Sequence, residues 1–152
     1  MLEEIEVVLD MLDQLHTEIL EIVEDVGSQG MNWSPGSDFN SIYAIATHTA
    51  ASQLWWIKEN LAGEVIDRDR PTEFAARGVD LESLKAGFED VQAISRGHLA
   101  NITSEDMRSL REVSGRSVSV RWILLHVLDH TATHLGHMHI TTQLYKKQEQ
   151  SE

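Results

Sequence analysis

The sequence predicts an all-α protein that folds as a four-helix bundle. Four segments of about 20 to 30 residues can form helices, and most of them place apolar residues at three- and four-residue spacing. Two long connections separate the helices, so we expect some consecutive helices not to lie antiparallel to each other. The length of 152 residues fits one domain with a substantial core. We assign residues 1–147 to this domain and residues 148–152 to a polar tail.

The composition narrows the possible functions. Acidic residues outnumber basic residues by 25 to 12, and the net charge of -13 disfavours binding to nucleic acid, which needs basic side chains. The chain contains no cysteine, which excludes disulfides and cysteine-ligated metal sites. No apolar run approaches the roughly 18–20 residues that cross a bilayer, and the acidic start lacks signal-peptide features. We expect a cytoplasmic protein that binds small molecules and neither nucleic acid nor membranes.

The first helix is predicted from Leu2 to about Val26. Acidic residues fill the gaps between its apolar positions, which makes the helix amphipathic. His16, which lies between Leu15 and Glu18, is interpreted as a solvated surface ring. The following segment, Gly27 to Ser37, is rich in Gly, Ser, Asn and Pro and is predicted to be a connection.

The second helix is predicted to start at a cap among Ser37, Asp38 and Asn40 and to run to about Ala62. His48 lies on its inner face, where small neighbours leave room beside the imidazole. Considered alone, His48 is interpreted as a core histidine with a hydrogen-bond partner. Trp55 shares its face and is a candidate for contact with a substrate, although packing is the simpler interpretation of Trp55.

The connection from Gly63 to Gly78 is charged and has no sustained period, and we expect it to run over the surface. Arg68 and Arg70 could bind an anionic group of a substrate. Salt bridges with the neighbouring Asp67 and Asp69 are the simpler interpretation.

A third helix is predicted from Val79 to Ile102, with Asp80 as its cap. His98 lies near the end of this helix and is interpreted as a partner of its free carbonyl groups. Residues 110–120 alternate apolar and polar about a Ser-Gly pair, which predicts a small hairpin. Ser117 or Ser119 then starts the fourth helix.

The fourth helix holds most of the histidines, because residues 122–145 contain five of the eight in the chain. Four of them fall within about 80° on a helical wheel: His126, His130, His134 and His137. Apolar residues occupy the same sector, so the stripe faces the core. An unsatisfied polar group there costs about 1–3 kcal/mol. A metal ion is the partner that would satisfy most of these rings together.

His130 and His134 form an i,i+4 pair that can bind one divalent ion. His126 and His130 have the same spacing and are an alternative pair. His48 offers a third ligand from another helix, and three imidazoles leave coordination positions open, as in catalytic sites. Metalloproteases of the H-E-x-x-H type carry a glutamate after the first histidine. Thr131 takes that place here, which argues against peptide hydrolysis of that type.

The segments around these histidines resemble the DinB/YfiT-like family of metal-dependent proteins. They read NWSPGSDFNSIYAIATHTAASQLWW and RWILLHVLDHTATHLGHMHI, and the resemblance covers nearly the whole chain. It implies a four-helix bundle with up-down-down-up connectivity. It also implies that the metal ligands are His48, His130 and His134. His126 and His137 are then neighbours of the ligands.

Family members with an assigned role look like thiol S-transferases or isomerases that use bacillithiol, mycothiol or glutathione. Three neutral histidines leave the charge of the ion uncompensated, which favours a bound thiolate over a thiol. We therefore expect a thiol to be activated for attack on an electrophile. A metal-dependent hydrolase is an alternative that lacks a clear general base, and a non-catalytic metal-binding dimeric module is another. Zinc, nickel and iron all accept imidazole, so the residues do not select the metal.

The fourth helix also has apolar residues beyond the histidine stripe, at Leu124, Leu128 and Leu135. A helix that is apolar over so much of its circumference needs a second contact. Other helices of the bundle or a second copy of the chain could supply it, and we expect a homodimer.

Overall fold

The computed structural model describes residues 1–151 and is built mainly of helices. Four long helices form the body of the protein: α1 (Glu3–Gly30), α2 (Ile42–Leu54), α4 (Leu81–Leu99) and α5 (Val120–Glu149). A π-helical segment, Trp55–Leu61, continues α2, and a short α3 (Arg70–Ala75) and a 3-10 turn (Asp106–Arg108) lie in the connections. Strands β1 (Leu110–Val113) and β2 (Arg116–Ser119) pair as an antiparallel hairpin. The predicted all-α four-helix bundle is confirmed. Glu152, the last residue of the predicted polar tail, lies outside the described residues.

Ion pairs show that α1 and α5 run in the same direction. Arg121 near the start of α5 binds Glu4 near the start of α1. Lys146 near the end of α5 binds Asp25 near the end of α1. The first and last helices are therefore parallel neighbours, although the rest of the bundle separates them in sequence.

The other two long helices run in the opposite direction. On α4, Phe88 packs against His16 of α1, while Gln92, one turn later, donates a hydrogen bond to the carbonyl of Leu9. His48 of α2 contacts His130 of α5. Trp56, in the π-helical segment that continues α2, contacts Trp122, which lies earlier in α5. The order is therefore up-down-down-up, as the family resemblance implies. Because α2 and α4 point the same way, their connection has to return along the bundle.

Two apolar clusters fill the two ends of the bundle, and buried polar side chains lie between them. The first cluster surrounds Leu9 and Ile123 at the end that carries the hairpin. The second surrounds Val23 and Met138 at the other end. The buried polar residues in the middle include His16, His48, Thr49, Gln53, Gln92, Ser95 and Thr131. Each of these side chains must find a partner inside the protein, since burial without one is costly.

The prediction that His16 is a solvated surface ring is wrong. Its side chain is only 5% exposed, and its Nε2 lies 3.0 Å from Oε1 of Gln53 and donates a hydrogen bond to it. The amide nitrogen of Gln53 donates in turn to Oε1 of Gln92 and to Oγ of Ser95. His16 follows Leu12 by one helical turn and continues the buried face of α1, so its place on the wheel outweighs its acidic neighbours.

Two boundaries around the first connection differ from the prediction. The helical assignment of α1 extends beyond Val26 to Gly30, because the chain resumes helical geometry after Gly27, whose positive φ of 64° breaks the first part. The second helix begins later than predicted. Its cap is Ser41, whose hydroxyl accepts a hydrogen bond from the N–H of Ala44.

Three other local predictions are confirmed. Asp80 caps α4, and Ser119 caps α5, each by accepting a backbone hydrogen bond. The hairpin turns at Ser114 and Gly115, whose φ values are 50° and 78°. Positive φ at both central residues is what a two-residue type I′ turn requires.

We expect His16 to make folding stability depend on pH. Burial lowers its pKa from 6.5 to about 4, although the hydrogen bond to Gln53 opposes this shift. The unfolded chain therefore takes up this proton at a higher pH than the folded protein does. Acidification from pH 7 to about pH 4.5 should remove roughly 2 kcal/mol of unfolding free energy through this one group. Urea denaturation at both pH values measures the loss.

The comparison variant for this prediction is His16→Gln, which should show a smaller loss over the same pH interval than the unchanged protein. His139→Gln changes an exposed histidine of α5 and should match the unchanged protein. Equal pH dependence in all three proteins would show that His16 does not contribute.

Candidate metal centre

Three histidines from two helices meet in the middle of the bundle. Nε2 of His48 lies 3.3 Å from Nε2 of His130, and Nε2 of His134 lies 3.2 Å from the same atom. The ligand atoms of this group all lie within 4.8 Å of one another. Two nitrogens that bind one tetrahedral ion at about 2.1 Å are roughly 3.4 Å apart. The spacing of the cluster therefore suits a single ion.

The helices place these rings by simple geometry. His130 and His134 are one turn apart on α5, so their side chains lie on one face. His48 is buried on the face of α2 that packs against α5. The small residues Ala44 and Ser52 lie one turn before and one turn after it, which leaves room for the imidazole between the helices.

Glu73 binds the His48 nitrogen that faces away from the cluster. Nδ1 of His48 donates to Oε2 of Glu73 at 2.7 Å. Arg68 donates to both carboxylate oxygens, at 2.6 and 2.9 Å. Burial raises the pKa of Glu73, but the hydrogen bonds from Arg68 and His48 outweigh that effect and lower the pKa overall. The carboxylate is therefore ionised, and the proton on Nδ1 leaves the lone pair of Nε2 directed at the cluster.

The three imidazoles are neutral near pH 7. Burial, followed by the neighbouring histidines, lowers the pKa of His130 to about 3. The same two causes lower the pKa of His134 to about 4. Burial also lowers the pKa of His48, although Glu73 opposes the shift. Neutral imidazole is the form that binds a metal ion.

The contacts within the cluster cannot all be hydrogen bonds. Because Nδ1 of His48 carries its proton, Nε2 of this ring only accepts. Nε2 of His130 can donate one hydrogen bond, to His48 or to His134, or it can accept one from His134. At least one of the two contacts therefore lacks a hydrogen bond. A cation between the nitrogens would satisfy all three lone pairs, so the residues fit the divalent ion that the sequence predicts.

His126 lies next to this cluster and packs among aromatic rings. Its ring centroid is 5.9 Å from that of His130, and it stacks on Trp122 at 4.8 Å with an interplanar angle of 6°. Trp55 packs against Trp56, with the guanidinium of Arg68 5.3 Å from its ring centroid. We call the space here the aromatic cavity; it has a volume of ≈ 280 Å³ and is lined by Trp55, Trp56, Val113, Ser114, Arg116, Val118, Trp122 and His126.

His137 lies on the other side of the cluster and is exposed. Its ring centroid is 5.4 Å from that of His134, and their Nδ1 atoms are 3.4 Å apart. It borders a second space, which we call the apolar cavity: its volume is ≈ 510 Å³ and its main walls are Phe39, Phe74, His134, His137, Ile140 and Leu144. His126 and His137 therefore flank the three-nitrogen cluster from opposite sides.

The sequence prediction missed the role of the connection between α2 and α4. Most of this segment runs over the surface as expected, but Glu73 is buried, and Phe74 stacks on His48 with ring centroids 4.3 Å apart. Arg68 pairs with Glu73 instead of the predicted Asp67 or Asp69. The local indication that α3 begins here was Pro71, since proline is common in the first turn of a helix. Nothing in the local pattern indicates that α3 reaches His48.

The family model described as Mycothiol-S-transferase matches residues 7–146, which is most of the chain. The chain belongs to the mycothiol-S-transferase family. This confirms the DinB/YfiT-like resemblance on which the sequence prediction rested. No curated protein shows a significant match to the chain. The family match gives a reaction class against which the histidine cluster can be interpreted.

Three solved structures share the fold of this mycothiol-S-transferase family member. A DinB-like protein from Bacillus cereus ATCC 10987 is 12% identical with a TM-score of 0.72, covering 90% of this chain and 86% of that one. A conserved protein from Enterococcus faecalis is 18% identical with a TM-score of 0.73, covering 95% and 98%. A DinB-like protein from Bacillus subtilis is 18% identical with a TM-score of 0.69, covering 91% of both. At these identities the likeness concerns the fold alone.

We expect protein purified without a histidine tag to hold a stoichiometric divalent metal ion. The variants His48→Ala and His134→Ala should each lose it, because two remaining imidazoles hold an ion much more weakly than three. Elemental analysis by mass spectrometry measures the metal content. His139→Ala, which removes an exposed histidine of the same helix, should keep the metal. Unchanged metal content in the His48 and His134 variants would contradict the assignment.

We expect Glu73→Gln to weaken metal binding without removing a ligand. The carboxylate orients His48 and makes its Nε2 a better donor, and loss of such a partner typically costs about 10–100-fold in metal affinity. Competition with a chromophoric chelator measures the dissociation constant. Glu64→Gln removes a half-exposed carboxylate from the same connection and is the control. Equal affinities of the two variants would show that Glu73 has only a structural role.

Proposed function

We propose that the chain is a metal-dependent thiol S-transferase. The observation that carries the proposal is the cluster of His48, His130 and His134, which lies between two cavities in a member of the mycothiol-S-transferase family. Family membership supports the reaction class, and the spacing and protonation of the three imidazoles support a divalent ion. Zinc, nickel and iron each accept this donor set.

The reaction joins a thiol to an electrophile. His48, His130 and His134 would hold a divalent ion, which would stabilise a thiolate relative to its thiol at neutral pH. The sulfur forms a bond to an electrophilic carbon, the bond from that carbon to its leaving group breaks, and the leaving group takes the electron pair. The thiol proton passes to solvent. The chain itself has no cysteine that would compete for the electrophile.

The residues around the cluster have supporting roles in this proposal. His48, His130 and His134 supply the ligand nitrogens, and Glu73 with Arg68 fixes the orientation of His48. Mycothiol is the first thiol to test, because the family is described by it. Bacillithiol and glutathione are the other two that the family resemblance implies.

A metal-dependent hydrolase is the second proposal for this site. A hydrolase would need a base to take a proton from water. Glu73 is already engaged by Arg68 and His48, and Asp129 is exposed on α5. The transferase needs no such base, which favours it. A non-catalytic metal-binding module is the third proposal, and a screen for activity separates it from both enzymes.

The homodimer and the cytoplasmic location stay predictions. Leu124 and Leu135, which suggested a second copy, are buried in the core of a single chain. The exposed apolar side chains Val7, Met11 and Leu125 instead line a groove. Light scattering tests the dimer, whose mass would be twice 17.2 kDa. Within the part of the chain that the structure describes, we find no helix with the length and apolar character to span a bilayer.

We expect metal-loaded protein to accelerate the reaction of monochlorobimane with at least one of mycothiol, bacillithiol and glutathione. The rate should fall to the metal-free background in His48→Ala, since this variant loses a ligand, and His139→Ala should keep the full rate. Fluorescence of the bimane adduct follows the reaction. A metal-loaded protein that never exceeds the background with any of the three thiols would rule out this transferase activity.

A further inference from the structure

The apolar cavity has the size of a small-molecule binding site. Its volume of ≈ 510 Å³ lies within the range of roughly 300–1,000 Å³ that is common for such sites. Its walls come from four parts of the chain: the first connection with Phe39, α2, α3 with Phe74, and α5 with Ile140 and Leu144. A site that several elements build together, next to a metal-ligating cluster, is a place where a reactant can bind.

The cavity is continuous with the three-histidine cluster. His134, one of the three, lies in its wall. Phe74, another wall residue, stacks on His48 at 4.3 Å with an interplanar angle of 27°. His134 therefore borders the cavity directly, and the ring of Phe74 lies between the cavity and His48. A molecule bound in the cavity would lie beside the cluster.

Exposed apolar side chains gather at the cavity. Phe39 is 64% exposed, Ile140 is 56% exposed and Leu144 is 43% exposed. Apolar area of this kind gains free energy when a ligand removes it from water. The three side chains come from two separate segments and line one cavity, so a single apolar ligand could cover them together.

The charges of the two cavities differ, and this difference indicates what each would bind. Among the described residues that line the apolar cavity, the only carboxylate is Asp38, and none is a lysine or an arginine. The guanidinium of Arg70 lies over the ring of Phe74, one wall of this cavity, at 5.1 Å. The aromatic cavity includes Arg116, which lies 5.3 Å from the ring of Trp122. An uncharged apolar molecule suits the first cavity, and an anionic or polar molecule suits the second.

We propose that the apolar cavity binds the electrophile, and that this electrophile is an uncharged molecule with an aromatic or alkyl body. The assignment rests on the proposed transferase function and adds the substrate class and its location. The electrophilic carbon would lie toward His134. The sulfur would form its bond to that carbon from the side of the cluster, and the leaving group would depart with the bonding electron pair.

A binding experiment without any thiol tests the assignment separately from the reaction. The probe is the unreactive parent of monochlorobimane, which has no leaving group, titrated against metal-loaded protein and followed by fluorescence. Ile140→Asp places a carboxylate in the wall at an exposed position and should weaken binding by about tenfold or more. Leu110→Asp makes the same change at an exposed leucine of the hairpin, away from both cavities, and should leave binding unchanged. Phe39→Ser should weaken binding as well.

Kinetics with the full reaction supply the second measurement. Ile140→Asp should raise KM for the electrophile and leave KM for the thiol unchanged. A rise in KM for the thiol alone, or dye binding that Ile140→Asp and Phe39→Ser do not weaken, would overturn the assignment. If the variants weaken dye binding but no thiol reacts, the cavity assignment is supported as a binding site and the transferase function fails. If transfer occurs and both variants behave like the unchanged protein, the function stands and the cavity assignment is overturned.

Discussion

The hydrogen bond from His48 to Glu73 joins two segments that are 25 residues apart in sequence, and the geometry of the site depends on it. An ionised carboxylate in this buried position needs compensation, because an unpaired buried charge costs several kcal/mol. Arg68 supplies the positive charge with two hydrogen bonds, and His48 supplies a third donor. The same contact fixes the proton of His48 on Nδ1. The free lone pair of Nε2 then faces His130, where a metal ion is expected.

A second set of buried polar side chains in the middle of the bundle forms hydrogen bonds around Gln53. His48 and Gln53 are five residues apart on α2 and therefore project roughly 140° apart. His48 faces α5, while Gln53 bonds His16 of α1 and Ser95 of α4. One helix thus carries a polar contact on each of two faces, between the apolar clusters at the two ends. Buried polar networks that are fully satisfied favour one packing arrangement, because sliding a helix would leave donors and acceptors unpaired.

Arginine side chains lie close to the site in a chain whose net charge is -13. Three guanidinium groups lie over aromatic rings there: Arg68 over Trp55, Arg70 over Phe74 and Arg116 over Trp122. Contacts of this kind hold the guanidinium groups in place. The carboxylate of Glu73 compensates the charge of Arg68. Positive charge around a cleft raises the local concentration of an anionic reactant. This distribution is compatible with a reaction in which one partner is a thiolate and the other an uncharged electrophile.

The sequence by itself determined the features that depend on short-range spacing. The period of the apolar residues and the capping residues predicted the four long helices. The one-turn spacing of His130 and His134 placed both rings on one face, and the Ser-Gly pair predicted the hairpin turn. These features follow from fixed geometry within one element. The residues offered His48 as a third ligand from another helix. The family resemblance supplied the up-down-down-up order and selected His48, His130 and His134 as the ligand set.

Only the tertiary structure decided which faces meet and which connections fold back onto them. His16 is buried because α4 and Gln53 cover its side of α1, which its acidic neighbours do not reveal. Glu73 reaches His48 from a six-residue helix that is too short to show a period. The apolar cavity exists because Phe39, Phe74 and Leu144 come together from distant parts of the chain. Periodicity states which residues share a face of one helix, whereas contacts between elements depend on the packing of the whole bundle.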